Sequence, residues 1–160
     1  MILTKLAHWK LTGTWPYVPL LGDSAETGAP LRGVTPTIDA EVPGSEYMDL
    51  LRAGLIEDPY ADMNSIKCEW AANRWWIFDT RAHIPLSEKG RRIKIVFNGI
   101  DYRAHIYAGN KKFAEHEGMY VPCAVDITDV AAYGAGRVAY EKLARLLVNA
   151  NINMVPDFRS

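Results

Sequence analysis

Between Val42 and Trp76 the chain gathers side-chain types that suit a polyhydroxylated ring. Trp70, Trp75 and Trp76 offer flat apolar faces, and Asp58 and Asn64 offer a carboxylate and an amide. Asp101 supplies a further carboxylate downstream. Aromatic faces stack on C–H surfaces, while amides and carboxylates bond hydroxyls. Each residue also has a purely structural reading. Adjacent Trp75 and Trp76 point to opposite faces of a strand, so at least one belongs to the core. Asp58 precedes Pro59 and suits a turn. Asn64 is either a turn residue or a ligand contact. Glycoside cleavage needs two carboxyl groups flanking one bond. Glu57, Glu69, Glu115 and Glu117 stand in loop or edge contexts and read as solvated surface charge.

Other chemistries find less support. His8, His83, His105 and His116 are scattered. His105 and His116 can meet across a hairpin at Gly109-Asn110, which gives at most half a metal site, and surface or hairpin histidines are the simpler expectation. Cys68 and Cys123 are too few for a disulfide scaffold and fit no metal spacing, so two buried, reduced thiols are expected. Gly134-Ala135-Gly136 lacks the buried strand and downstream acid of a phosphate loop. With 18 basic against 19 acidic residues the net charge is −1. That excludes the positive surface nucleic acid or an anionic membrane requires. No apolar run approaches the ~20 residues of a membrane span. The start MILTKLAHWKL carries His8, Trp9 and Lys10 in its apolar part and is no signal peptide as it stands. The expectation is a soluble, cytoplasmic protein.

Many short segments must position these residues. Residues 1–12 read as a first strand through Leu3, Leu6 and Trp9. Prolines at 16, 19, 30, 36 and 43 forbid a regular helix before Ser45, leaving a long loop with one short strand near Thr37–Ala40. Ser45 caps a short helix near 45–53 whose Tyr47, Leu50 and Leu51 share a face, and Gly54 stops it. Alternation predicts strands over Trp75–His83, Arg91–Phe97, Tyr102–Ala108, Lys112–His116 and Tyr120–Ile127. Val138, Leu143, Leu146, Leu147 and Ala150 lie at helical spacing and predict a C-terminal helix near 137–150. Pro156-Asp157 is read as ending the apolar run Ile152–Val155. Short strands with regular turns argue for a mostly β chain, a β-sandwich or jelly roll.

Several segments, taken in order, resemble a known pattern: WKLTGTW (Trp9–Trp15), VPGS (Val42–Ser45), LLRAGLIEDPY (Leu50–Tyr60), Asn64, Glu69-Trp70 with Trp75, FNGID (Phe97–Asp101) and DITD (Asp126–Asp129). Individually weak, together they are similar to the N-terminal sugar-binding domain of glycoside hydrolase family 2, in its β-mannosidase-like branch. The likeness spans roughly residues 8–130. It implies a galactose-binding-type jelly roll over 1–133, followed by a helical tail over 134–160. Within that tail, Tyr140–Val155 resembles the first helix and strand of the family's catalytic barrel. The family's Gly-Trp-Asp-Trp-Gly element is missing. In family-2 β-galactosidases an Asn just past a Pro-x-Tyr stretch approaches the substrate, and Asn64 is the similar position.

The family's acid and nucleophile are barrel glutamates, the acid preceded by Asn, and Asn-Glu occurs nowhere here. The resemblance therefore implies a non-catalytic carbohydrate-binding or accessory domain of an exo-glycosidase, with no catalytic residue of its own. Its expected partner is a mannoside, galactoside or glucosaminide. The expected sugar-binding set is Asn64, Asp58, Trp70, Trp75 and Asp101. Two alternatives stay open: a truncated or engineered hydrolase with residual or new activity, and a purely structural module, including a homo-oligomer formed through the C-terminal helix. No cofactor is expected beyond the structural Ca²⁺ that such jelly rolls often carry, for which no clustered carboxylate loop stands out.

Overall fold

The computed structural model describes residues 3–14, 35–108, 111–133, 144–149 and 156–159. Ten strands occur among them: β1 (Leu3–Lys5), β2 (Trp9–Thr14), β3 (Ile38–Ala40), β4 (Trp75–Thr80), β5 (Lys94–Phe97), β6 (Arg103–Ala108), β7 (Lys111–Glu117), β8 (Cys123–Asp126), β9 (Ala144–Asn149) and β10 (Pro156–Arg159). They form a six-stranded sheet in the order β3-β2-β4-β9-β6-β7 and a four-stranded sheet in the order β1-β10-β5-β8. Neighbouring strands run antiparallel throughout. The expected β-sandwich is the fold.

One core joins the two sheets. Leu11, Trp76, Phe78, Ala104 and Ile106 come from the larger sheet, and Ile95, Phe97 and Val125 from the smaller. Leu50 adds the apolar face of α1 (Glu46–Arg52) to the same cluster. Gly13 is required where it stands: a Cβ there would lie 2.6 Å from Trp76 Cζ3 and 3.1 Å from Thr35 Cγ2.

The expected strand over 1–12 is two strands. His8 takes φ 58°, a left-handed conformation that interrupts the extended chain between β1 and β2. β4 is buried on both faces over Trp75–Phe78 rather than half wet. Its outer face carries a second small cluster of Trp75, Ile77 and Tyr107.

The helix expected near 137–150 is corrected over its second half. Residues 144–149 are the strand β9, placed between β4 and β6, while 137–143 lie outside the described residues. The sequence ARLLVN explains the error. A short continuous apolar run, Leu146-Leu147-Val148, suits a central strand as well as a helix, and periodicity alone does not separate them. The second half of that helix is thus not available as an oligomerisation surface. Pro156-Asp157 begins β10, which pairs with both β1 and β5. Proline is admissible as the first residue of a strand. The expected tail therefore supplies a strand to each sheet.

Candidate functional site

α1 fixes the entrance to the region of interest. Ser45 caps it by accepting from the Met48 amide, at 3.4 Å. At its end Gly54 has φ 69°, its amide bonds Leu51 O at 3.0 Å, and the Leu55 amide bonds Leu50 O at 2.9 Å. This is the paired carbonyl closure that a left-handed glycine permits after a helix. Arg52 bridges the carboxylates of Glu41 and Asp49, and Asp49 also accepts from the Glu41 amide at 3.1 Å. Burial raises the Asp49 carboxyl above the usual range, against the lowering effect of those bonds. α1 is thus tied to the segment following β3.

The chain then makes a compact polar turn. Asp58 Oδ1 accepts from the Tyr60 amide at 2.9 Å, and the Asp58 carbonyl accepts from the Ala61 amide at 3.1 Å and from Asn64 Nδ2 at 3.2 Å. Asn64 opens α2 (Asn64–Cys68), which runs on into a 3₁₀ turn over Glu69–Asn73 and then β4. The sequence reading missed both short helices. NSIKCEW has too few residues for a repeating apolar stripe, so periodicity had nothing to detect. Asp58 and Asn64 are therefore brought together. Part of their capacity is spent inside the turn, while Asp58 Oδ2 and Asn64 Oδ1 make no bond among those described.

The tryptophans divide. Trp76 is buried in the main core, and its indole N–H donates to Ala71 O at 3.1 Å. Trp75 is only 9% exposed on the opposite face, with its ring 5.3 Å from the His105 imidazole. Trp70 is half-buried, its ring 6.2 Å from Trp76 and tilted by 47°. The Arg74 guanidinium lies 5.9 Å from the Trp70 ring centre, a cation over an aromatic face. Arg74 went unnoticed in the sequence; a cation four residues from Trp70 in a turn-rich segment was the available signal.

Asp101 sits apart from Asp58 and Asn64 in the chain, just before β6. It is half-buried, and that burial pushes its carboxyl up. The register pairs Thr14 with Trp75 and Arg103 with Glu117, and β9 lies between β4 and β6. The turn leading into Trp75, the Asp101 segment and residues 118–121 thus leave one end of the larger sheet. The topology collects Trp70, Trp75 and Asp101 at that end.

His105 and His116, expected as surface or hairpin histidines, stand on the paired strands β6 and β7, both buried, and do not meet as half a metal site. His105 pairs with Glu115 and Ala104 with His116, so the two imidazoles project from opposite faces. Among the described residues no group of three or more His, Cys, Asp or Glu is placed to hold a metal. Exposed acids are engaged with neighbours: Glu57 with Lys67 at 2.7 Å, and Glu115 with Lys112 and His105. Lys112 holds the Glu115 carboxyl below its usual range, which favours a permanent anion over a proton donor.

The family profile described as "Glycosyl hydrolase 2 galactose-binding domain-like" matches residues 23–145. A β-mannosidase of Mus musculus is 31% identical over 94 residues, which is 58% of this chain and 11% of that protein. β-Mannosidase A of Aspergillus aculeatus is 36% identical over 70 residues, 44% of this chain and 8% of that protein. The chain spans about a tenth of the length of these relatives. In fold it resembles the crystal structure of the β-D-mannosidase of Dictyoglomus thermophilum, with a TM-score of 0.67 and 21% identity over 99% of this chain and 15% of that one. It also resembles a Ruminococcus gnavus β-glucuronidase, with a TM-score of 0.57 and 19% identity over 94% of this chain and 21% of that one. By profile and by sandwich architecture, the chain belongs to the glycosyl hydrolase 2 galactose-binding domain-like family.

Proposed function

We propose that the protein serves as the carbohydrate-binding, non-catalytic domain of a β-mannosidase-like glycoside hydrolase. The match of the family profile over residues 23–145 carries this reading. Its ligand is a sugar, a mannoside first, with galactosides and glucosaminides as the alternatives. Binding is assigned to the loops at the Trp75 end of the larger sheet. Half-buried Trp70 offers part of its ring, while Asn64, Asp58 and Asp101 offer oxygen acceptors for hydroxyls. Trp75, being buried, acts by supporting this end of the sheet rather than by stacking on ligand.

Two observations support a role without bond cleavage. The sequence holds no Asn-Glu pair. Glu57 and Glu115 are held in surface ion pairs, and the Glu115 carboxyl is shifted away from the range a general acid uses. Titration calorimetry with mannose, galactose and glucosamine tests the reading. Weak saturable binding of at least one sugar, reduced by Asn64→Ala at unchanged melting temperature, is expected. Silence across the panel contradicts it.

A further inference from the structure

The fold leaves two large aromatic side chains in solvent on neighbouring loops: Tyr102, half exposed, and Tyr120, 87% exposed. Tyr102 leads into β6, and residues 118–121 follow β7. Because Arg103 pairs with Glu117, both loops leave the same end of the larger sheet. The loops are braced. The Gly118 amide donates to Tyr102 O at 2.8 Å, and the Tyr102 hydroxyl donates to Glu117 Oε1 at 3.2 Å. A His116 ring nitrogen lies 2.7 Å from Gly118 O, holding the turn from within. Met119 and Val121 are exposed beside Tyr120. The strand that Trp70 and Arg74 feed lies two strand positions from β6, about 10 Å away at the usual strand spacing.

We infer that Tyr102 and Tyr120 form an outer sugar platform, which stacks on a second ring of an oligosaccharide whose first ring is held by the Asp58–Arg74 segment. This rests on the carbohydrate-binding reading above. The composition of the patch favours a sugar. Two aromatic rings supply stacking faces, and the carboxylates of Asp101 and Glu117 beside them accept from hydroxyls. Those carboxylates repel an anionic partner. A stable protein interface takes about 20–30 residues a side, far more than the four exposed apolar side chains grouped here. The span of about 10 Å between the two strands is comparable to two linked sugar rings.

Calorimetry on the 160-residue protein, with mannose against β-1,4-linked mannobiose and mannotriose, tests the platform in the wild type, Tyr120→Ala and Tyr120→Trp. Tyr120 is so exposed that neither change threatens the fold. The wild type is expected to bind the oligosaccharides more tightly than mannose. Tyr120→Ala should keep the affinity for mannose and lose about five- to tenfold for the oligosaccharides, and Tyr120→Trp should retain it. Equal affinity of the wild type for all three sugars, or unchanged oligosaccharide binding in Tyr120→Ala, overturns the platform and leaves the carbohydrate-binding reading standing. Loss of mannose and oligosaccharide binding together in Tyr120→Ala also overturns it, because Tyr120 would then belong to the first-ring site. No binding of any sugar by the wild type overturns both.

Discussion

Trp76 and Tyr120 mark two regions held in place by different means. The sandwich interior is fixed by burial: Trp76, Phe78, Phe97 and Ile106 are all buried to within a per cent of completely. The Asp58 turn and the Gly118 turn are fixed by hydrogen bonds involving main-chain atoms. Burial leaves no group free for a ligand, whereas a braced loop keeps aromatic faces and carboxylates open to water. Binding function concentrates on loops carried by a rigid scaffold for that reason. The comparison also separates what a substitution should cost. Core changes should cost stability, and loop changes should cost ligand.

The largest effect is expected at Trp76. Trp76→Ala removes the largest side chains' shared contact surface and the bond to Ala71 O, and should cost about 3–5 kcal/mol. A denaturant midpoint close to that of the wild type would mean that this region is not the core. Next comes Gly13→Ala, whose methyl would meet the Trp76 ring and Thr35. Overpacking of about 1–3 kcal/mol is expected, read as a fall in melting temperature. Asp58→Ala loses the bond from the Tyr60 amide and should cost about 1 kcal/mol of stability, with a larger fractional loss of sugar affinity. A stability loss with unaltered sugar binding would place the ligand elsewhere.

The pH response sharpens the same contrast. Asp126 accepts from the hydroxyl and amide of Thr128, which holds its carboxyl below the usual range. A folded value below the unfolded one gives stability that is present above the unfolded value and is lost as pH falls through the folded value. Asp49 is shifted the other way by burial, so its protonation favours the folded chain as pH falls. Carboxyl carbon resonances followed by NMR should show Asp49 taking up its proton before Asp126 as pH falls. Asp126→Asn should flatten the acid limb of the stability curve. The smallest effect belongs to Tyr120→Ala and Tyr60→Ala, both at largely exposed rings, where a change within about 0.5 kcal/mol is expected.

Most of the sandwich was legible because its strands alternate and its turns carry the residues that turns require. Ser45, Leu50 and Gly54 announced α1 with a cap, an apolar face and a stop, and the structure places all three in those roles. β9 was misread because a buried central strand and a helix share the same continuous apolar run. β10 was missed because Pro156 looked like a terminator, although proline can begin a strand. The sequence offered Asp58 and Asn64 as candidates, and the structure joins them through one hydrogen bond. It could not apportion Trp70, Trp75 and Trp76 between core and surface. That depends on which sheet face is covered, a property of the assembled fold. Tyr102 and Tyr120 escaped notice because their exposure, too, is decided only when the strands pair.

An amide NMR titration of the 160-residue protein with an aryl β-mannoside tests the central claim most directly, since it reports binding and cleavage in the same tube. The account predicts saturable shifts confined to residues near 58–74, 101–102 and 118–121, with the glycoside intact throughout. Absence of shifts, shifts at the opposite end of the sheets, or release of free mannose that stops when one of the protein's own acidic side chains is replaced would contradict it.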